Sequence, residues 1–140
     1  MTTFDDLGLT FDYPDDWTAD VVRETRESSV TLESPGSAFV MVTVIADRPD
    51  PGRVLDTAQA ALEAEYDDCE VEQPAAEIAG VEADAREIDF TCHDLVSRAS
   101  LRAFEAGGRT VFVMSQRADI EADEADAAFE AVTGSMRVRE

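Results

Sequence analysis

Cys92, His93 and Asp94 stand side by side, and a thiol next to an imidazole and a carboxylate is the residue set from which a cysteine nucleophile and its base are built. Their spacing argues against that use. Val81 to Cys92 reads as a strand with Ile88, Phe90 and Cys92 on one face. If it stays extended, Cys92 and Asp94 share that face while His93, the only histidine, points the other way, out of hydrogen-bond reach of the thiol. Cys92 is then a small buried hydrophobe. A second set, Asp119, Glu121, Asp123 and Glu130, imitates the carboxylate spacing of a calcium loop, but Glu124 stands where the sharp turn needs glycine. A zinc site would have to draw on two isolated cysteines and one histidine, with no C-x-x-C pair. A serine triad would also need His93, and no G-x-S-x-G elbow occurs. The phosphate-cradling glycine motifs are missing, and Gly107-Gly108 reads as a hairpin turn. The residues therefore specify no catalytic group, no metal-ligand set and no cofactor motif. A carboxylate acid/base pair is neither excluded nor indicated, since such pairs arise everywhere in so acidic a chain.

That acidity bounds the partners. The 140 residues carry 32 Asp and Glu against 11 arginines and no lysine, a formal charge of −21 with a pI near 4.1. At ordinary ionic strength so much like charge opposes compaction, whereas molar salt shortens the screening length to ~3 Å. The composition is that of a halophilic protein, with every cation the planar, fork-shaped guanidinium. Phosphate binding needs a basic stripe, so nucleic acid is not expected as a partner, nor is an anionic membrane. The opening residues have no basic and apolar leader pattern, and no apolar run approaches ~20 residues. The expectation is a single cytoplasmic domain spanning residues 1–140, with Cys69 and Cys92 reduced.

The elements that must position any site follow from periodicity. Leu7, Leu9, Phe11 and Tyr13 alternate with polar residues as a half-buried strand stopped by Pro14, and Asp15-Asp16 makes a turn that returns Trp17 to the sheet. Strands are also expected around Val21-Val22 and Val30–Leu32. Ala38–Ile45 and Val111–Met114 are apolar on both faces, which places them in the middle of a sheet covered on both sides. Asp50-Pro51 starts a helix that carries Leu55, Ala58, Leu62 and Tyr66. A second helix over 120–133, capped by Asp119 or Asp123 and ended by Gly134, carries Ala125, Phe129 and Val132, and a short strand follows it. Gly107-Gly108 should pair Phe104 with Val111 and Leu101 with Met114.

Three segments then coincide: Leu9–Trp17 with its strand, Tyr-Pro, turn and Trp, Ile78–Ala83 with Gly80, and Ala127–Met136. Together they make the chain resemble the PsbP-like superfamily, which includes the PsbP subunit of photosystem II, a nuclear-import factor acting on the Ran GTPase, and small bacterial proteins and lipoproteins. The resemblance implies an α/β (α+β) fold in which an antiparallel sheet of about six strands has helices on both faces, an α/β/α sandwich. It also implies action by docking to a protein partner, without catalysis or cofactor. No functional residue transfers with it. Tyr13, Asp15, Asp16 and Trp17 are the candidate binding residues, although a core-and-turn device accounts for Tyr13, Pro14 and Trp17 better than a ligand box does. The competing expectation is a small-ligand protein or enzyme with a carboxylate-lined pocket. From the charge alone, the melting temperature should fall as KCl is lowered from molar to millimolar, and sodium sulfate should raise it. A melting temperature independent of salt in calorimetry would contradict the halophilic reading.

Overall fold

Asp50 and Pro51 begin the element that local chemistry specifies most fully. In the computed structural model, which describes residues 1–139, the Asp50 carboxylate accepts from the Arg53 N–H at 3.2 Å and Pro51 is the first residue of α1 (Pro51–Glu65). Proline there forfeits nothing, because the first helical N–H groups have no partner inside the helix. The helix stops at Tyr66, which turns extended. Leu55 and Leu62 are its buried face.

The chain otherwise is strands. β1 (Thr2–Asp6) and β2 (Leu9–Tyr13) form a hairpin, joined on the other side of β2 by β11 (Arg137–Val138). β3 (Thr18–Val22), β4 (Glu27–Glu33), β5 (Phe39–Ile45), β6 (Glu70–Glu72), β7 (Ala76–Ile78), β8 (Val81–Cys92), β9 (Leu95–Ala106) and β10 (Arg109–Ala118) build one antiparallel sheet. Its order is β3-β4-β5-β10-β9-β8-β6, with β7 also paired to β8. The expected sheet of about six strands is therefore too small, since the main sheet has eight and a separate sheet has three. The two doubly apolar segments, β5 and β10, are neighbours at its centre.

Alternation along β10 divides the core. Val111 and Val113 pack with Phe129 and Val132 of α2 (Ala122–Ser135), whereas Phe112 packs with Leu55 and Leu62 of α1. The expected sandwich with helices on both faces needs correction in its layers, because α2 does not cover its part of the sheet alone. It shares that cluster with Phe4, Leu9 and Phe11 of the small sheet. A single 14-residue helix is too narrow to cover the sheet, and the β1-β2-β11 ribbon fills the rest. Phe4 stacks on Phe11 at 4.8 Å between ring centroids, locking the ribbon's register.

Several local expectations need revision. Leu7 is not in the strand: with φ 56° it forms the turn between β1 and β2 together with Gly8, and only Leu9–Tyr13 continue the alternation. Neither Asp119 nor Asp123 caps α2 through its side chain, because a 3₁₀ turn over Asp119–Glu121 leads into the helix. Gly134 lies inside the last turn, and the chain becomes extended only at Met136. The Gly107-Gly108 hairpin has the expected register, Phe104 opposite Val111 and Leu101 opposite Met114.

Leu55 is fully buried where α1 meets the sheet, so Leu55→Ala should cost about 2–5 kcal/mol of unfolding free energy. Ile120→Ala, at a side chain 83% exposed, should stay within about 0.5 kcal/mol. Urea unfolding in molar KCl compares the two, and equal losses would contradict the assigned core.

Candidate functional site

Where β8 and β9 pair along Glu87–Asp89 and Arg98–Arg102, the residues that do not face α1 are polar, and their register decides their partners. Asp89 stands directly opposite Arg98, and Glu87 opposite Ser100. Cross-strand neighbours at that separation meet directly, so opposite charges form pairs. The Arg98 guanidinium makes a two-pronged contact with Asp89, Nε to Oδ1 at 2.8 Å and Nη2 to Oδ2 at 3.1 Å. Glu87 accepts from Arg102 Nη2 at 2.6 Å with one oxygen and from the Ser100 hydroxyl at 2.5 Å with the other. The Arg102 and Glu87 side chains are each only 14% exposed. Arg102 also lies over the Phe129 ring of α2, 5.2 Å from its centroid, a cation–π contact that ties the helix to the ladder.

α2 is held from its other side by Arg117 of β10. That guanidinium, almost wholly buried, spans Asp126 at 3.0 and 3.2 Å and Asp119 at 2.6 Å. Between α2 and β7 a half-open groove of about 270 Å³ remains. Ala76, Ile78, Phe129 and Thr133 supply its apolar and small surfaces, Arg98 and Arg102 its paired cations, and Glu77 and Glu130 carboxylates without an ion-pair partner among the described residues.

Displaced ionisation runs in one direction among the carboxylates. The hydrogen bond from Arg98 holds Asp89 below the usual carboxylate range. The Ser37 hydroxyl and backbone N–H, donating to Glu121 at 2.7 and 2.8 Å, do the same for Glu121. At Asp15 the Thr2 hydroxyl has that effect. A general acid needs the opposite displacement. These carboxylates are fixed anions that hold neighbouring elements in place.

The residues singled out from the sequence are dispersed. The strand ends at Cys92 as expected, but His93 and Asp94 do not continue it: they form a two-residue turn at φ 51° and 63° joining β8 to β9, so the condition of an extended run through Asp94 is not met and Cys92 pairs with Leu95. The histidine is exposed at the tip, while Cys92 is half-buried in the α1 cluster beside Tyr66, whose ring stacks on Phe90 at 4.4 Å. Cys69 packs in the same cluster, and both thiols are free. Burial first, and then the carboxylates of Glu63, Asp67 and Asp68, push the Cys69 thiol up and away from the thiolate form. Asp119 binds Arg117, Glu121 holds the β4–β5 turn, and Glu130 lines the groove, so the calcium-like spacing becomes three separate tasks.

Trp17 is buried, its N–H closing the turn to the Pro14 carbonyl at 3.1 Å, and Tyr13 packs at the edge of the same core. Asp15 and Asp16 are exposed. None of these four lines the groove. Of the groove residues, the sequence singled out Phe129 and Glu130 for other roles and left the charged ladder of β8 and β9 unnoticed. The alternation of charge along Glu87, Asp89, Arg98 and Arg102 was its available signal.

No known protein-family profile and no curated protein sequence matches the chain. Solved structures do. LpqN of Mycobacterium tuberculosis, described as involved in cell envelope biogenesis, is similar at TM-score 0.63 and 14% identity, over 99% of this chain and 90% of that one. Cyanobacterial PsbP (CyanoP) of Synechocystis is similar at TM-score 0.64 and 17% identity, over 98% and 91%. A protein of Bacteroides thetaiotaomicron matches at 0.63 and 13%, over 95% of this chain and 46% of that one. The fold is PsbP-like. No helix among the described residues is long and apolar enough to cross a membrane.

Because Asp89 sits lower in the folded state than in the unfolded chain, the stabilisation it contributes is complete above about pH 4 and is lost as the pH falls through the depressed value. Asp89→Asn should therefore flatten the acid limb of a melting-temperature profile. An acid limb unchanged in the variant would show that the Arg98 pair carries none of the dependence.

Proposed function

We propose that this protein is a non-enzymatic docking module, working in a salt-rich cytoplasm and binding a protein partner through the groove between β7 and α2. The observation that carries this reading is the state of the groove's charged groups. Arg98 and Arg102 are already engaged by Asp89 and Glu87, and Asp126 by Arg117, so the wall is a rigid pattern of shape and charge. Its volume, about 270 Å³, is just below the ~300 Å³ at which small-molecule pockets begin, and it is open along one side. A protruding side chain of a partner suits that shape better than an enclosed metabolite. The cytoplasmic assignment rests on the composition, and the PsbP-like fold supports docking only by resemblance.

The test is capture from cells of the source organism in molar KCl, using wild-type bait beside Ala76→Trp, whose indole would fill the groove. The wild-type protein should retain a partner that Ala76→Trp loses, with both baits equally folded by circular dichroism. A partner retained equally by both, or none by either, would refute docking at this groove.

A further inference from the structure

We infer that the groove's occupant is a basic one: an arginine side chain presented on a short extended segment of the partner. This rests on the docking reading above and adds the chemistry of the ligand. Both arginines of the groove are neutralised, Arg98 by the two-pronged contact with Asp89 and Arg102 by Glu87. Glu77 on β7 and Glu130 on α2 have no ion-pair partner among the described residues and stand on opposite walls. The uncompensated charge of the groove is therefore negative, and of the five further acidic residues from Asp119 up to Glu130 only Asp119 and Asp126 are paired with a cation among the described residues, both with Arg117.

The size and lining of the groove fit the same ligand. Ala76, Ile78 and Thr133 with the Phe129 ring offer an apolar surface along which an alkyl stem can lie while its charged head stays at the wet rim. A guanidinium carries five donors in a planar fork and can serve carboxylates on two walls at once, which an ammonium does less well. An acidic or phosphorylated segment would meet Glu77 and Glu130 directly and would have to displace Asp89 or Glu87 to reach an arginine.

Generic attraction of any cation to a surface of −21 has to be separated from this site. The probes are two blocked pentapeptides, one carrying two arginines and the other two glutamates, titrated into the full chain in molar KCl and followed by backbone amide NMR. The arginine peptide should shift the amides of Ala76, Ile78, Phe129 and Thr133 in a saturable way. Glu77→Gln/Glu130→Gln should weaken it about tenfold, or ~1.4 kcal/mol. Asp67→Asn/Asp68→Asn removes the same charge from two exposed residues beyond the end of α1, between Tyr66 and Cys69 of the cluster on the other side of the sheet, and should leave the affinity within about twofold. Shifts scattered over the surface that vanish in molar salt, equal binding by both double variants, or preference for the glutamate peptide would each overturn the assignment. If Ala76→Trp still loses its captured partner when the peptide result is negative, docking stands and only the basic ligand falls.

Discussion

Two adjacent strands that are apolar on both faces dictate most of this architecture. β5 and β10 pair along Phe39–Ile45 and Thr110–Gln116, and both faces of that pair must be kept from water. Val40, Val42, Val111 and Val113 are fully buried on one side, while Phe112 and the partly buried Met41 and Met114 face α1 on the other. At about 1.5–3 kcal/mol for each large side chain removed from water, leaving either face open would forfeit several such contributions in a fold of ordinary marginal stability. Two covering layers are thus required. The chain provides one with α1 and the other with α2 and the β1-β2-β11 ribbon.

Away from that centre, the arrangement of the few cations decides where the acidic surface can be held together. Seven of the eleven arginines contact a carboxylate among the described residues. Those at the chain's periphery, such as Arg26 with Asp47, are largely exposed, and pairs of that kind contribute ~0–1 kcal/mol. Arg86, Arg102 and Arg117 differ, because each guanidinium is mostly buried and joins a helix to the sheet. Arg86 reaches Asp56 and Gln59 on α1, Arg102 reaches the Phe129 ring, and Arg117 reaches Asp126. Molar salt screens repulsion between distant carboxylates far more than it weakens these short, partly dehydrated contacts.

Those features written as local patterns were legible in the sequence. The doubly apolar runs identified the central strands, Asp50-Pro51 identified the start of α1, and Gly107-Gly108 identified both a turn and its register. β1 was not legible, because only Phe4 of its five residues is buried and the rest are polar. The turns at Leu7 and at His93-Asp94 were hidden for a different reason. Each places residues other than glycine at positive φ: Leu7 is a type that seldom adopts it, and His93-Asp94, although of types enriched there, sits where the flanking residues on both sides read as strand. The groove was the least legible feature. It depends on Asp89 meeting Arg98 and on α2 meeting β7, and among 32 acidic residues no pairing of charges can be assigned before the register is known.

The small sheet has a consequence for the order in which the molecule is completed. Its strands come from residues 2–6, 9–13 and 137–138, and the Arg109 guanidinium clamps the two ends of the sequence together by donating to the Leu7 and Arg139 carbonyls. During synthesis the first hairpin is made before the strands of the main sheet, and the helix that shields it and the strand that completes it are made after them. The long meander of β8, β9 and β10, closed by two tight turns, can form in between from neighbours in sequence. One face of the valine-rich centre therefore waits uncovered until α2 has been made, and through that interval repulsion among the chain's many carboxylates opposes contact between nascent copies.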